Sequence, residues 1–141
     1  ATARTTLGLA IGTDVQAYDA DTAKLDVAQT FTAAQRGSTD TDTTNSGNVT
    51  LDFSTNQNFV LTLTGNVTLD NPTTETVGQS GFIVFIQDAT GGRTVSLGTD
   101  YETAGGAGIT LSSAASTTDI VPYVVAASGR ILLGAPQLAF A

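Results

Sequence analysis

Apolar and polar residues alternate through most of the chain from residue 48 onward, and no stretch there sustains the 3.6-residue period of a long helix. Val49, Leu51 and Phe53 alternate with polar neighbours, which is typical of a strand with one buried face. About eight short strands separated by Gly, Asn and Asp turns predict an all-β fold, with an antiparallel β-sandwich or jelly-roll-like domain as the expected architecture. The other strands are predicted around 59–63, 67–69, 82–86, 95–97, 109–111, 120–126 and 131–133.

Three of these regions carry a more specific signal. Phe82–Ile86 is a continuous apolar run, which predicts a central strand covered on both faces. Asp88–Gly92 predicts a tight hairpin turn before the next strand. Pro122 has no N–H for a strand ladder, so its strand is expected at a sheet edge or at a bulge.

The composition divides the chain into three parts. Residues 1–36 contain apolar residues with no sustained period and predict an extended N-terminal arm. Residues 37–47 contain no apolar side chain and are predicted to be a polar linker. Residues 48–141 form the predicted β-sandwich module.

Short helical turns are expected within the arm. Asp14, Asp19 and Asp21 can each cap the start of such a turn. Thr32–Gln35 fits a capping box, and Gly37 is placed to end the turn that follows.

One hexapeptide occurs twice, as Gly47–Asp52 and as Gly65–Asp70. Two copies are too few for a solenoid, which needs about three repeats or more. We therefore interpret both copies as similar strand openings after a Gly-Asn turn.

The residue types exclude several classes of function. The 141 residues include no His and no Cys, which excludes disulfides, thiolate nucleophiles, cysteine-ligated metals and the Ser-His-Asp triad. The net charge is −8, from 5 Lys and Arg against 13 Asp and Glu, and it disfavours binding to nucleic acid. The apolar tracts 120–127 and 131–141 are shorter than the roughly 20 residues of a membrane-spanning helix, so no membrane insertion is expected.

Any catalysis in such a chain must use carboxylates, hydroxyls, Tyr or Lys. Asp52 and Asp70 hold equivalent positions in the two hexapeptides, and a carboxylate pair is what a glycosidase needs. Each follows a Leu that is expected to point inward, so both carboxylates are predicted to face solvent at strand ends. We therefore assign no catalytic residue.

The remaining motifs have structural interpretations. Asp40 and Asp42 could contribute to a calcium site, but calcium takes about six to eight oxygens and the Gly and Glu of an EF-hand loop are missing. Asp88–Arg93 is rich in glycine but lacks the Lys-Ser/Thr of a P-loop. Asn48 and Asn66 begin glycosylation sequons, which carry no information in a bacterial or viral protein. No metal ligand, no cofactor and no cofactor-binding residue is assigned, and the cations Arg93 and Arg130, beside turns, are expected to pair with acidic neighbours.

Several longer stretches carry a resemblance to known proteins, in the same order along the chain. Leu7–Asp21 and Thr30–Ser38 form the N-terminal part of the match. Leu63–Thr73, Val77–Asp88 and Gly91–Val95 form its β-module part. Together these stretches resemble bacteriophage tail and appendage fibre proteins. The resemblance implies a homotrimer whose N-terminal side faces the virion and whose β modules face outward, and it implies no catalytic or binding residues.

The sequence thus predicts a non-enzymatic virion structural protein, a trimeric fibre or appendage module that contributes to host attachment. Its expected partners are copies of itself and, through residues 1–36, other virion proteins. A host cell-surface glycan or receptor is a further candidate partner. Two alternatives stay open, a capsid decoration protein that clamps the shell and a carboxylate-based polysaccharide depolymerase.

Overall fold

The computed structural model describes residues 33–140, which form eight strands and one short 3₁₀ turn, Ala104–Gly106. A compact unit begins at Arg36. Within residues 33–140 there is no helix of the length and hydrophobicity that crossing a bilayer requires. The strands are β1 (Thr39–Thr50), β2 (Asn58–Asp70), β3 (Ser80–Gln87), β4 (Val95–Leu97), β5 (Tyr101–Thr103), β6 (Thr118–Ala127), β7 (Arg130–Leu133) and β8 (Gln137–Phe140).

Most of the predicted arm lies outside the described residues. This applies to residues 1–32 and therefore to the turns expected at Asp14, Asp19 and Asp21. Residues 33–38 are described and contain no helical turn before Gly37. The capping-box prediction is therefore wrong for this segment.

The all-β class is confirmed, but the strand pairing is mixed rather than antiparallel. β2 is parallel to β1, β3 and β4, and β5 is parallel to β7. β6 runs antiparallel to β3, β7 and β8. The expected antiparallel sandwich or jelly-roll arrangement is therefore corrected. The reason is that side chains alternate with the same period whichever way the partner strand runs.

Residues 39–47 of the predicted linker belong to β1, which pairs with β2 at the end of the sheet. Asn45 is the one buried side chain of this strand, so no hydrophobic alternation reveals it. The Asn45 amide donates to the Thr62 carbonyl at 3.1 Å, and Thr64 Oγ1 donates to the Asn45 carbonyl at 3.2 Å. The prediction of a linker is therefore wrong from Thr39 onward, because these residues form a strand. The division of the chain into an arm and a module stays a prediction.

Several other strand predictions change in extent. The segments 59–63 and 67–69 are one strand, β2, and Ile109 and Leu111 pack against the core without forming a strand. The two copies of the hexapeptide lie at the ends of β1 and β2 rather than at their openings. In the pairing of β1 with β2, Asn48 lies opposite Thr68 and not opposite Asn66, its equivalent in the second copy. The two copies are therefore offset by two residues. The short strands β5 and β8 show no alternation, because β5 has three residues with one apolar member and β8 has three apolar residues in succession.

The strands surround one hydrophobic core. β2, β3, β6, β7 and β5 are neighbours in that order, and β4, which precedes β5 by only residues 98–100, pairs with the far half of β2. Gly98 at this bend donates its N–H to the Leu69 carbonyl at 2.7 Å, and a Cβ there would collide with that carbonyl and with Asn71. The most buried apolar side chains are Phe59, Leu61, Leu63, Leu69, Ile83, Phe85, Val121, Val125 and Ile131.

Pro122 lies in the interior strand β6 rather than in an edge strand. Its carbonyl accepts from the Gly134 N–H at 2.9 Å, in the interval between β7 and β8. The N and O of a strand residue point to the same side, so the missing N–H faces this break in the neighbouring strands. The prediction of an edge strand or a bulge at Pro122 is therefore wrong. The proline is tolerated because its missing N–H faces the gap between β7 and β8.

β3 is a central strand, as predicted, with β2 on one side and β6 on the other. Ile83 and Phe85 point into the core and are fully buried. Phe82 is 49% exposed, and Val84 and Ile86 are half-buried. Residues 33–140 thus bury one face of β3 and leave the other partly exposed, so they supply only one of the two covered faces that were predicted.

Candidate functional site

The candidate carboxylate pair is held by local hydrogen bonds. Asp52 accepts from the Ser54 N–H at 2.9 Å, from Ser54 Oγ at 2.6 Å and from Thr55 Oγ1 at 2.9 Å. The bond from the Ser54 hydroxyl is the main reason that the pKa of Asp52 lies below its usual value. Asp70 accepts from the Asn48 amide at 2.9 and 3.0 Å. Both carboxylates therefore fix turns or strand ends, and a low pKa makes Asp52 a poor proton donor.

Asp40 and Asp42 lie along β1 instead of in a loop. Asp42 accepts from the Thr44 N–H at 3.0 Å, which is an Asx turn within the strand. Among residues 33–140 no group of three or more acidic side chains is arranged to hold a metal ion. The geometry of the two residues therefore gives no support to a calcium site.

The segment after β3 is a turn, but it does not form a hairpin. Arg93 Nη2 lies 2.8 Å from Asp88 Oδ2, and this pairing is the main reason that the pKa of Asp88 is lowered. Asp88 also accepts from the N–H groups of Thr90 and Gly91 at 3.0 and 2.9 Å. The strands on either side, β3 and β4, both pair with β2 and not with each other, so the hairpin prediction is wrong.

The two sequon asparagines have structural partners. Asn48 donates to Asp70, and Asn66 Oδ1 accepts from the Thr94 N–H at 3.1 Å. The second predicted cation, Arg130, pairs with Glu102 at 2.8 Å on an exposed part of the sheet. This pairing lowers the pKa of Glu102.

Sequence reasoning did not single out the buried polar side chains of the described residues, and two of them, Asp119 and Gln87, make several hydrogen bonds. Asp119 is 1% exposed and accepts from the Ser112 N–H at 2.6 Å, from Ser112 Oγ at 2.7 Å and from the Ala139 N–H at 2.8 Å. Gln87 is 2% exposed, and its amide makes two 2.9 Å hydrogen bonds to the backbone of Arg93. Asp119 and Val121 are two residues apart in β6, so their side chains point to the same face of the sheet. The alternation of β6 was therefore a signal for the inward position of Asp119.

The outward side of the central strands is apolar and continuous from one strand to the next. Val60 of β2 lies opposite Val84 of β3, and Val84 lies opposite Ile120 of β6. Phe82 is opposite Pro122, and Val124 of β6 is opposite Leu132 of β7. We call this surface the outer patch, and its members are Val60, Phe82, Val84, Ile86, Ile120, Pro122, Val124 and Leu132.

The outer patch carries no formal charge although the chain has a net charge of −8. Phe82 and Val124 are 49% and 40% exposed, and both belong to the small set of exposed large apolar side chains among the described residues. At its β7 side the patch ends at Glu102, whose charge is compensated by Arg130. Contiguous apolar surface of this kind is typical of an interaction site.

Comparison with known proteins gives one match. A family model described as "Putative phage tail fibre C-terminal domain" matches residues 49–130, which is more than half of the chain. No curated protein matches the chain. No solved structure matches it either. The matched residues run from the end of β1 to the start of β7 and thus include most of the sheet.

Proposed function

Because this chain belongs to the family of phage tail fibre C-terminal domains, we propose that it is a homotrimeric fibre module that contributes to host attachment. Family membership itself identifies a structural protein of the phage virion. The trimer and the attachment role go beyond the family match. The observation that best supports self-association is the uncharged outer patch, which no other described element covers.

The proposed role is non-enzymatic. The carboxylates that could have served a depolymerase, Asp52 and Asp70, accept hydrogen bonds that hold turns and strand ends. The same holds for Asp88, which is paired with Arg93. Their side chains therefore contribute to the rigidity that a virion fibre needs.

The location of the chain on the particle tests the fibre role. An electron micrograph of particles that carry a tag on this chain is expected to show the label on tail fibres. A label distributed over the shell would contradict the fibre proposal and indicate a capsid decoration protein. Release of oligosaccharide from host capsule by the purified chain would contradict the non-enzymatic role.

We place the attachment of the module to the virion in residues 1–36. The compact unit begins at Arg36, so it contains all eight strands of the sheet without the preceding residues. Deletion of residues 1–35 is expected to leave a soluble, β-rich protein by circular dichroism that is no longer incorporated into particles. The matched control is a chain of full length in which the order of residues 1–35 is scrambled. It is also expected to be absent from particles. Normal incorporation of the truncated chain would show that the anchor lies elsewhere.

A further inference from the structure

We propose that the outer patch is the surface through which copies of this chain contact one another in the fibre. This inference rests on the proposed homotrimer and adds which face of the sheet forms the contact. It assigns the contact to the outward side of β2, β3, β6 and β7, where Phe82 and Val124 are the most exposed members.

The position of these two residues supports the assignment. Val124 lies opposite Ser80, and Phe82 lies opposite Pro122, so Phe82 and Val124 are diagonal neighbours across β3 and β6. Side chains in this relation are close enough to form one apolar surface. Aromatic side chains are enriched in the buried core of protein interfaces, and charged side chains are depleted there.

The C-terminal strand extends this surface. β8 pairs with β6, with Phe140 opposite Thr118. Leu138 and Phe140 are 50% and 47% exposed, and neither carries a charge. Asp119 fixes β8 in place by accepting the Ala139 N–H.

Charge identifies a second copy as the occupant. Each copy carries a net charge of −8, so copies repel unless they meet through a surface without acidic groups. The outer patch is such a surface, whereas the free side of the sheet at β1 carries Asp40 and Asp42. A membrane surface or an acidic partner would select for cations, and a glycan would select for hydrogen-bonding side chains. The members of the outer patch supply neither.

The experiment compares two double variants of the full chain by light scattering at micromolar concentration. The wild-type chain is expected at three times its monomer mass. Phe82→Glu with Val124→Glu places two charges in the contact and is expected to give a monomer, with a dissociation constant raised at least about 100-fold. Thr94→Glu with Ser96→Glu adds the same two charges at exposed positions in and beside β4, outside the outer patch, and is expected to stay trimeric.

Single cysteines give a second measurement that introduces no charge, because the chain contains no cysteine of its own. A thiol from Phe82→Cys or Val124→Cys is expected to react with maleimide at least about 10-fold more slowly than one from Ser96→Cys, because the contact shields it from solvent. The thiol at position 82 or 124 should react faster after dilution, because dilution dissociates the trimer.

The outcomes separate the inference from the function on which it rests. The inference would be overturned if the wild-type chain and its Phe82→Glu, Val124→Glu variant were both trimeric and the thiols at positions 82 and 124 reacted freely. This result would leave the homotrimer intact. A monomeric wild-type chain would contradict the homotrimer, and the inference with it.

Discussion

Replacement of Asp119 by Ala is expected to lower the free energy of unfolding by about 4 kcal/mol. The carboxylate is 1% exposed and accepts three hydrogen bonds, from Ser112 N–H and Oγ and from Ala139 N–H. Its removal leaves these donors without their acceptor in a site that is closed to water. Since the bonds connect β6 to residue 112 and to β8, both segments should loosen together.

Urea unfolding followed by circular dichroism measures this loss. Asp42→Ala is the matched control, because it removes the same charge from an exposed carboxylate that accepts one backbone N–H. We expect the control to cost less than about 1 kcal/mol. Hydrogen exchange should accelerate at Ser112 and Ala139 in the Asp119 variant alone. Equal losses in the two variants would show that the buried carboxylate has no special role.

The stability of the module is expected to fall steeply in alkali. Burial raises the pKa of Tyr123 from its usual 10.0 to about 12, and burial also raises the pKa of Tyr101. Below pH 10 both phenols are neutral in the folded and in the unfolded chain, so their contribution to stability is fully present. Between about pH 10 and 12 the unfolded chain loses these protons first. The free energy of unfolding should then drop by up to about 1.4 kcal/mol per pH unit for each buried tyrosine.

Tyr123→Phe separates this effect from general alkaline damage. The Tyr123 hydroxyl donates to the Gln57 carbonyl at 2.7 Å, so the variant should be about 1 kcal/mol less stable at pH 7. Between pH 10 and 12 its stability should fall about half as steeply as that of the wild type, because one of the two raised pKa values is gone. Urea titrations at several pH values measure both effects. An unchanged slope in the variant would contradict the assignment to Tyr123.

The buried face of the sheet could be predicted from the sequence, and the direction of the strands could not. Phe59, Leu61 and Leu63 occupy every second position of β2 and are all buried. The alternation reports which face of a strand is buried, and that face is the same for parallel and antiparallel partners. Direction depends on where the connections 51–57 and 71–79 take the chain, and their sequences carry no signal for it.

The same limit applies to the candidate interaction site. Phe82–Ile86 was recognisable as a central strand, but a continuous apolar run is also what a strand contains when one of its faces meets another chain. One sequence does not tell which partner covers the second face. The alternation of β6 indicates the inward position of Asp119, but the donors that make its burial possible, such as the Ser112 N–H, could not be predicted from the sequence.

The polar composition of β1 has a consequence for aggregation. An exposed edge strand offers unpaired N–H and C=O groups to any other chain. β1 carries Asp40 and Asp42, and its register to β2 shifts on both sides of Asn45. Like charges and an irregular ladder make this edge a poor template for strand addition by another copy. The apolar surface stays on the outward face of the sheet, where association buries side chains and does not extend the ladder into open-ended fibrils.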